Sequence, residues 1–452
     1  MKIAWFTPFH RKSAIGKVSQ AVTRELARSQ QVDIWTADEE NLHETSLRVV
    51  RFGGLSSHVK WLKEYDLVVY NLGNHYPNHG RIFQTSLQHS GVVVLHDFVM
   101  HHFLMGHYLG NRLFQEYSDA MRRWYGADVP VAEGGWTGPL FRVWERDAEV
   151  VQYPLFEEVL RGAKAVIVHS DFLRQRVERA TGLPTATIHL AWEAERRAAT
   201  RSRADLGIAE GRVLIVTVGD VNENKRSEAM LRVLGAHAEI ASVVCYVVVG
   251  ACDTPFAERM QALCRELKLE QTVRFTGYAD DDSLNDWLTH ADFCVNLRWP
   301  AMEGGSASSA IQMLLGKASI VTDTGVYTEL PDECVLKVRP DHELEDLASH
   351  LRTLIRDREL RQKIGDAAGR FASANFSPAT YARKFLEFAT ALAAYEPAYR
   401  LSNTVAAELR AMGVSPEMAI IDTVAREGAT ILDGDYDAPV LRKYTLRGRP
   451  IA

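Results

Sequence analysis

No run among the 452 residues approaches the roughly 20 apolar positions that a membrane-crossing helix needs, so any membrane contact is expected to be peripheral. Cysteine is scarce. The five present (Cys245, Cys252, Cys264, Cys294 and Cys334) fall in the second half, odd in number and without a C-x-x-C pair, which argues against a disulfide framework or a thiolate zinc site. Reduced thiols and a cytoplasmic setting are the expectation. Excess basic charge is missing too: a formal net charge of −6 gives no global attraction for nucleic acid, so a phosphate site would have to be local. No short repeat and no G-x-G-x-x-G fingerprint occur. The opening Met1–Phe6, followed at once by Thr7-Pro8, reads as a first strand rather than a signal peptide.

What is present is a large soluble core: 46% apolar and 24% charged residues, in a chain longer than one hydrophobic core usually serves. Apolar strand runs alternate with helical segments, the pattern of a parallel sheet covered on both faces. In the first half the strands read as Lys2–Thr7, Gln31–Trp35, Leu67–Tyr70, Val92–Leu95, Ala165–His169 and Thr187–Leu190, with an early helix over Gly16–Ser29. His101 to Val151, rich in His, Trp, Tyr and Phe, reads as a helical excursion. After a polar linker beginning at Glu193 the alternation restarts, with strands at Val213–Val218, Val243–Val249, Thr272–Thr276, Phe293–Leu297 and Ser319–Thr322. Arg356–Ala374 and Tyr381–Ala394 read as closing helices, and Leu401–Ala429 as a further helix broken near Gly413. The fold class is therefore α/β: two Rossmann-like parallel-sheet domains, residues 1–195 and 205–375, facing across a cleft, with a C-terminal helical appendix over 376–452.

In open parallel sheets ligands sit outside the carboxyl ends of the strands, where loops meet helix amino ends. Four such loops carry chemistry. The first, Pro8 to Gly16, includes His10, and Gly16 would let backbone approach a phosphate or sugar oxygen; a solvated basic turn is the bland reading. The second ends a strand on His96-Asp97, with His101 following. Imidazole and carboxylate can bond sugar hydroxyls; the same groups could be locally satisfied, and their spacing fits no zinc signature, so no metal is assigned. The third, Gly219 to Arg226, sets Lys225 and Arg226 before a helix, an arrangement suited to a diphosphate. The fourth runs from Asn296 through Arg298, Glu303, Gly304, Gly305 and Ser306 into a helix, where small residues free amides and hydroxyls and Glu303 can accept from sugar hydroxyls.

Gly219 through Lys225-Arg226, then Glu303-Gly304-Gly305-Ser306, then Leu315-Gly316-Lys317 before Ile320 to Gly325, resemble retaining glycosyltransferases of the GT-B fold, family four. Tyr70 to His75 with His79, Leu95-His96-Asp97 and Ala165 to Phe172 look like the acceptor-side domain of bacterial members. The resemblance spans about residues 1–390. It implies a nucleotide-diphosphate-sugar donor held by the second domain, retention at the anomeric carbon and no required cofactor. By position, Lys225 would meet the diphosphate and Gly16 would lie near the donor, while His96 would contact the transferred sugar and Glu303 to Ser306 would surround it. Asn74, His79, Asp97, His101 and His10 would serve a glycan, lipid-linked or other hydroxyl acceptor. Two departures are visible. Asp220 stands where an arginine is common, so Arg226 or Arg298 would supply a second cation, and Ile311 occupies the place of a second glutamate, with Gln312 beside it. Those departures favour the alternative, a non-catalytic nucleotide-sugar binder or scaffold.

Overall fold

The computed structural model describes residues 1–53, 59–129, 146–194 and 197–413. The chain divides into two compact units, Met1–His189 with the chain from Pro378 onward, and Leu190–Ser377.

The first unit is built on a seven-stranded sheet of β1 (Lys2–Phe6), β2 (Gln31–Thr36), β3 (Arg48–Arg51), β4 (Leu67–Leu72), β5 (Gly91–Leu95), β6 (Ala163–Val168) and β7 (Thr185–Thr187). Its order is β3-β2-β1-β4-β5-β6-β7 and every pairing is parallel. Near-continuous apolar runs explain this: all five residues of β5 are buried, as expected for a strand covered on both faces. The order reverses between β1 and β4, the switch point where such sheets leave a crevice at their carboxyl edge. The helix Ala14–Leu26 follows β1, capped by Ser13, whose Oγ accepts from the Gly16 amide at 3.0 Å. The excursion after β5 is helical where described, with His101–Gly110 and Phe114–Tyr125.

The second unit repeats the plan with six strands, β8 (Val213–Val218), β9 (Val244–Val249), β10 (Val273–Phe275), β11 (Phe293–Asn296), β12 (Ser319–Thr322) and β13 (Leu336–Val338). The order β10-β9-β8-β11-β12-β13 is again all parallel, with its switch point between β8 and β11. A core of Ile215, Met230, Tyr246, Phe293, Ile320 and Leu351 fills one side of this sheet.

The two edge strands β3 and β13 escape the sequence reading because they are short and only partly buried, so they lack a long apolar run. The end of the chain also differs. The expected Arg356–Ala374 helix is present as Arg358–Asn375, with the Asp357 carboxylate capping the Leu360 amide at 2.8 Å, and a helix absent from the sequence reading, Glu343–Arg356, precedes it. Tyr381–Ala394 and the start of Leu401–Ala429 form one helix, Pro378–Ala411. It packs on Ala14–Leu26 in the first unit, with Tyr381, Phe385 and Phe388 buried and Phe385 edge-on to Trp5 at 5.5 Å. The remainder of that expected helix, beyond Gly413, lies outside the described residues. No helix among the described residues is long and apolar enough to cross a membrane.

Candidate active site

At the switch point of the second unit two loops are tied together. Asn224 accepts from the Trp299 amide at 2.9 Å through its carbonyl, and its side-chain amide donates to the Pro300 carbonyl. This sets Lys225, from the loop after β8, beside Arg298 and Glu303, from the loop after β11. Gly219 makes room: at φ +111° it adopts a backbone that favours glycine, and a Cβ there would stand 2.8 Å from Lys225 Nζ. Gly250 is needed for the same reason one strand over, since a Cβ would fall 2.1 Å from the Gly219 carbonyl oxygen.

The three charged groups differ in how they are engaged. Arg298, 3% exposed, pairs through Nε with Glu303 Oε1 at 3.0 Å and donates to the Leu297 carbonyl at 2.6 Å and to Ser308 Oγ at 3.2 Å. Glu303 also accepts from the Tyr327 hydroxyl, and burial pushes that phenol well above its ordinary range. Arg226 turns to Glu343, with two bonds at 2.9 and 2.6 Å. Lys225 alone has no carboxylate partner among the described residues. Burial, then the neighbouring Arg298 guanidinium, pulls its ammonium down to about 7, against the opposing pull of Glu303 and Asp220. Of the three cations expected to face a diphosphate, two are spent on internal carboxylates and one is unspent.

Ser306 caps the helix Ala307–Leu314, its Oγ accepting from the Ser309 amide at 3.2 Å. The first-turn amides of Ala307 and Ser308 cannot be satisfied inside the helix, so the Gly304-Gly305-Ser306 turn ends on an amino end suited to anionic oxygen. Ser306 and Ser308 are fixed by Asn296. Gln312 lies one turn further on, fully buried, with neither amide atom hydrogen-bonded.

In the first unit the expected residues gather at the carboxyl edge of β4 and β5, in a different chemical character. His96, 7% exposed, has Nε2 at 3.1 Å from Asn71 Oδ1 and Nδ1 at 3.1 Å from His169 Nε2. His79 is buried, with Nδ1 donating to the Asn71 carbonyl at 2.9 Å. Its Nε2 and the Asp97 carboxylate flank Gly73, and Asp97 accepts from the Asn74 amide at 2.8 Å. The Asn74 side chain in turn accepts from the Phe103 amide at 2.7 Å. Burial lowers His96 well below the usual imidazole range and pulls His79 and His169 down to about 4. The edge is therefore uncharged imidazole.

Three expected residues stand otherwise. His101 is enclosed, with Nδ1 donating to the Tyr153 carbonyl at 2.6 Å and Nε2 against the Tyr117 hydroxyl at 3.1 Å. Gly16 is buried with its amide given to Ser13, and a Cβ there would meet the Pro8 carbonyl at 2.7 Å, so local packing explains the glycine. His10 is held by its backbone, whose amide donates to Asp38 at 3.0 Å. The sequence reading missed Asn71, His169, Asn224, Ser308 and Tyr327. A signal existed for Asn71 and Asn296, each a lone amide near the end of an apolar buried strand. No three His, Cys, Asp or Glu side chains gather as metal ligands among the described residues.

Residues 199–371 match the family Glycosyl transferases group 1. No curated protein matches the sequence. Among solved structures, HepE of Anabaena in complex with UDP is 16% identical, covering 86% of this chain and 99% of its own, at TM-score 0.60. Sucrose-phosphate synthase from Thermosynechococcus elongatus is 16% identical, covering 85% of this chain and 97% of its own, at TM-score 0.58. WaaG, a glycosyltransferase involved in lipopolysaccharide biosynthesis, is 14% identical, covering 84% of this chain and 98% of its own, at TM-score 0.55. The match to that family lies within the second unit, and the likeness to these neighbours is one of fold, the two parallel-sheet units of the GT-B class.

Proposed function

We propose that the second unit holds a nucleoside-diphosphate hexose, with UDP-glucose the first candidate, and that the chain transfers the hexose to a hydroxyl of a glycan or lipid-linked acceptor. One observation carries the reading: Lys225 is a half-buried cation with no carboxylate partner among the described residues, beside a helix amino end and a glycine that keeps the space over it clear. A bound pyrophosphate would hold Lys225 in its charged form and take up the amides of the Gly304-Gly305-Ser306 turn. HepE has been solved with UDP-glucose, which makes a uridine donor the natural starting point.

In this reading Arg298 is a strut. Paired to Glu303 and tied to Ser308, it holds the loop after β11 in shape and tunes Lys225 through its charge. Leaving-group charge on the departing diphosphate is met by Lys225 and the helix amino end, an electrostatic contribution in place from the start. Of the residues named for the acceptor, Asn74 and His79 with His96 offer uncharged donors and acceptors beside the Asp97 carboxylate, a set that suits hydroxyls better than phosphates. The chain is expected to be cytoplasmic, with any membrane contact peripheral and no cofactor beyond the donor.

The test is a panel of UDP-, GDP-, dTDP- and ADP-sugars, scored by thermal stabilisation and by release of the nucleoside diphosphate. One donor should both stabilise and turn over, and Lys225→Ala should lower kcat/KM for it by roughly 10²–10³ with no loss of folding. Stabilisation by a donor without release of nucleotide would instead favour a non-catalytic binder. A Lys225→Ala protein that turns over like the wild type would sink the phosphate assignment.

A further inference from the structure

The carboxyl edge of the first sheet carries a row of hydrogen bonds that takes one residue from each of five adjacent strands or the turns that end them. Asn71 Nδ2 donates to the Phe6 carbonyl at 2.9 Å, and Asn71 Oδ1 faces His96 Nε2 at 3.1 Å. His96 Nδ1 faces His169 Nε2 at 3.1 Å, and His169 Nδ1 faces the Ile188 carbonyl at 2.9 Å. Phe6 and Asn71 lie in β1 and β4, and His96, His169 and Ile188 directly follow β5, β6 and β7; β1-β4-β5-β6-β7 is the strand order in the sheet.

Both ends of the row are backbone carbonyls, which only accept. An amide side chain and a neutral imidazole each offer one donor and one acceptor across the row. Starting from Phe6, Asn71 must donate outward and so accepts from His96 Nε2–H. A neutral His96 then has only a lone pair at Nδ1. Starting from Ile188, His169 must donate from Nδ1, and a neutral His169 then has only a lone pair at Nε2. Two lone pairs meet at 3.1 Å. The row is short by one proton, and a flip of Asn71 merely moves the conflict to Phe6.

We propose that His169 is a positioning residue for His96, and that the two rings share a single exchangeable proton which locks His96 between Asn71 and His169. Without that proton, His169, fixed by Ile188, keeps its acceptor toward His96. His96 is then the Nδ1–H tautomer, with Nε2 released from Asn71 and open as an acceptor for a hydroxyl. The rings lie 4.8 Å apart between centroids. The titratable side chains that act on the pair are His79 on the helix Tyr76–Gln88, His189 after β7, and Tyr381 on the C-terminal helix, whose ring is 6.3 Å from His169. None brings negative charge, and Asp97, next in the chain to His96, gives its carboxylate to the Asn74 amide. Burial therefore sets proton uptake below the ordinary imidazole midpoint, so the locked state belongs to the acid side.

The role given to His96 toward a sugar rests on the glycosyltransferase reading, but the shared proton does not, and the two are separated by using NMR of 15N-histidine-labelled full-length protein beside turnover. Both rings should change together in one step worth one proton per pair, with His96 as the Nδ1–H tautomer above it. His169→Gln can still accept from His96 and donate to Ile188 but cannot take a second proton; it should keep that tautomer and lose the step. His169→Phe should lose the tautomer preference and cut turnover on the order of 10- to 100-fold, with the Gln variant restoring most of it and flattening the acid limb of the pH profile. Two independent one-proton steps, a pair that stays neutral wherever the protein is folded, or an unchanged His96 spectrum in His169→Phe would each overturn the proposal. A joint step in a protein that turns over no nucleotide sugar would leave the shared proton standing and remove the enzymatic reading.

Discussion

The two units share a parallel topology with the switch point at the same place in the order, yet their carboxyl edges are chemically opposite. The first presents His79, His96 and His169, buried, bonded and pushed toward the neutral form. The second presents Lys225, Arg298 and Glu303, a cluster in which one cation is left over. The sheet fixes where side chains arrive, and strand-end residue type then decides whether the edge recognises hydroxyls or phosphates. If that contrast is sound, the units should respond to pH in separate windows and to mutation in separate ways.

The largest effect expected is on acidification. His79 and His101 both sit at about 4 in the fold against an ordinary 6.5, so the unfolded chain binds protons more readily between those values. The first unit should keep its full stability above 6.5 and lose it as pH falls toward 4, by about 3 kcal/mol per histidine. Lys225 works in another window. Its ammonium is disfavoured by the fold between about 7 and its ordinary 10.5, so the second unit should gain stability as pH rises through that range. Hydrogen exchange read peptide by peptide, corrected for intrinsic rates, would separate the two. Equal acid sensitivity in both units would break the comparison.

Next in size is the strut. Glu303→Ala leaves the Arg298 guanidinium buried without its carboxylate, which should cost about 3–5 kcal/mol and show as a lowered urea midpoint for the second unit. The exposed pair Arg197–Asp282, with side chains 54% and 71% exposed, is the control, and Asp282→Ala should change stability by under about 1 kcal/mol. A mild Glu303→Ala phenotype would mean that Glu303 serves the ligand more than the loop.

The unspent lysine makes a smaller and more specific prediction. Pyrophosphate binding must favour the charged form of a group that is half neutral near pH 7, so donor binding should take up protons and weaken as pH rises above about 7. Calorimetry in buffers of different ionisation enthalpy measures that uptake directly, and Lys225→Met should abolish it. Proton uptake unchanged in the variant would hand the effect to a group in the other unit, and the contrast between the edges would fail.

How much of this could be read in advance depended on burial. Apolar runs such as β4, β5 and β8 announced the two parallel sheets, because a strand covered on both faces leaves a continuous signature. The short strands β3 and β13 left none. Lys225, His96 and Glu303 were legible as chemistry-bearing residues at strand ends. Their states were not: that Arg226 is spent on Glu343, 117 residues away, depends on tertiary geometry with no local sequence mark, and that Arg298 is spent on Glu303 depends on how their shared loop folds back on itself. The partnership of His96 with His169, 73 residues apart, follows from β5 lying beside β6, which a pattern of strands alone does not order.

Gln312 gives the smallest effect and the sharpest question. It adjoins the position where the family resemblance expects a second glutamate, yet it is buried with both amide atoms unpaired, unlike the bonded histidines of the other edge. An unbonded amide in a core costs about 1–3 kcal/mol, and an apolar side chain of similar shape removes that cost. If Gln312 is only a poorly satisfied core residue, Gln312→Met should raise stability by about 1 kcal/mol and leave donor affinity alone. If it swings to meet the nucleotide, the same variant should be stabilised and bind donor roughly ten-fold more weakly, the loss of about one good hydrogen bond. A destabilised variant fits neither case and would show that the amide is bonded in solution, which would bring the second unit closer in kind to the first.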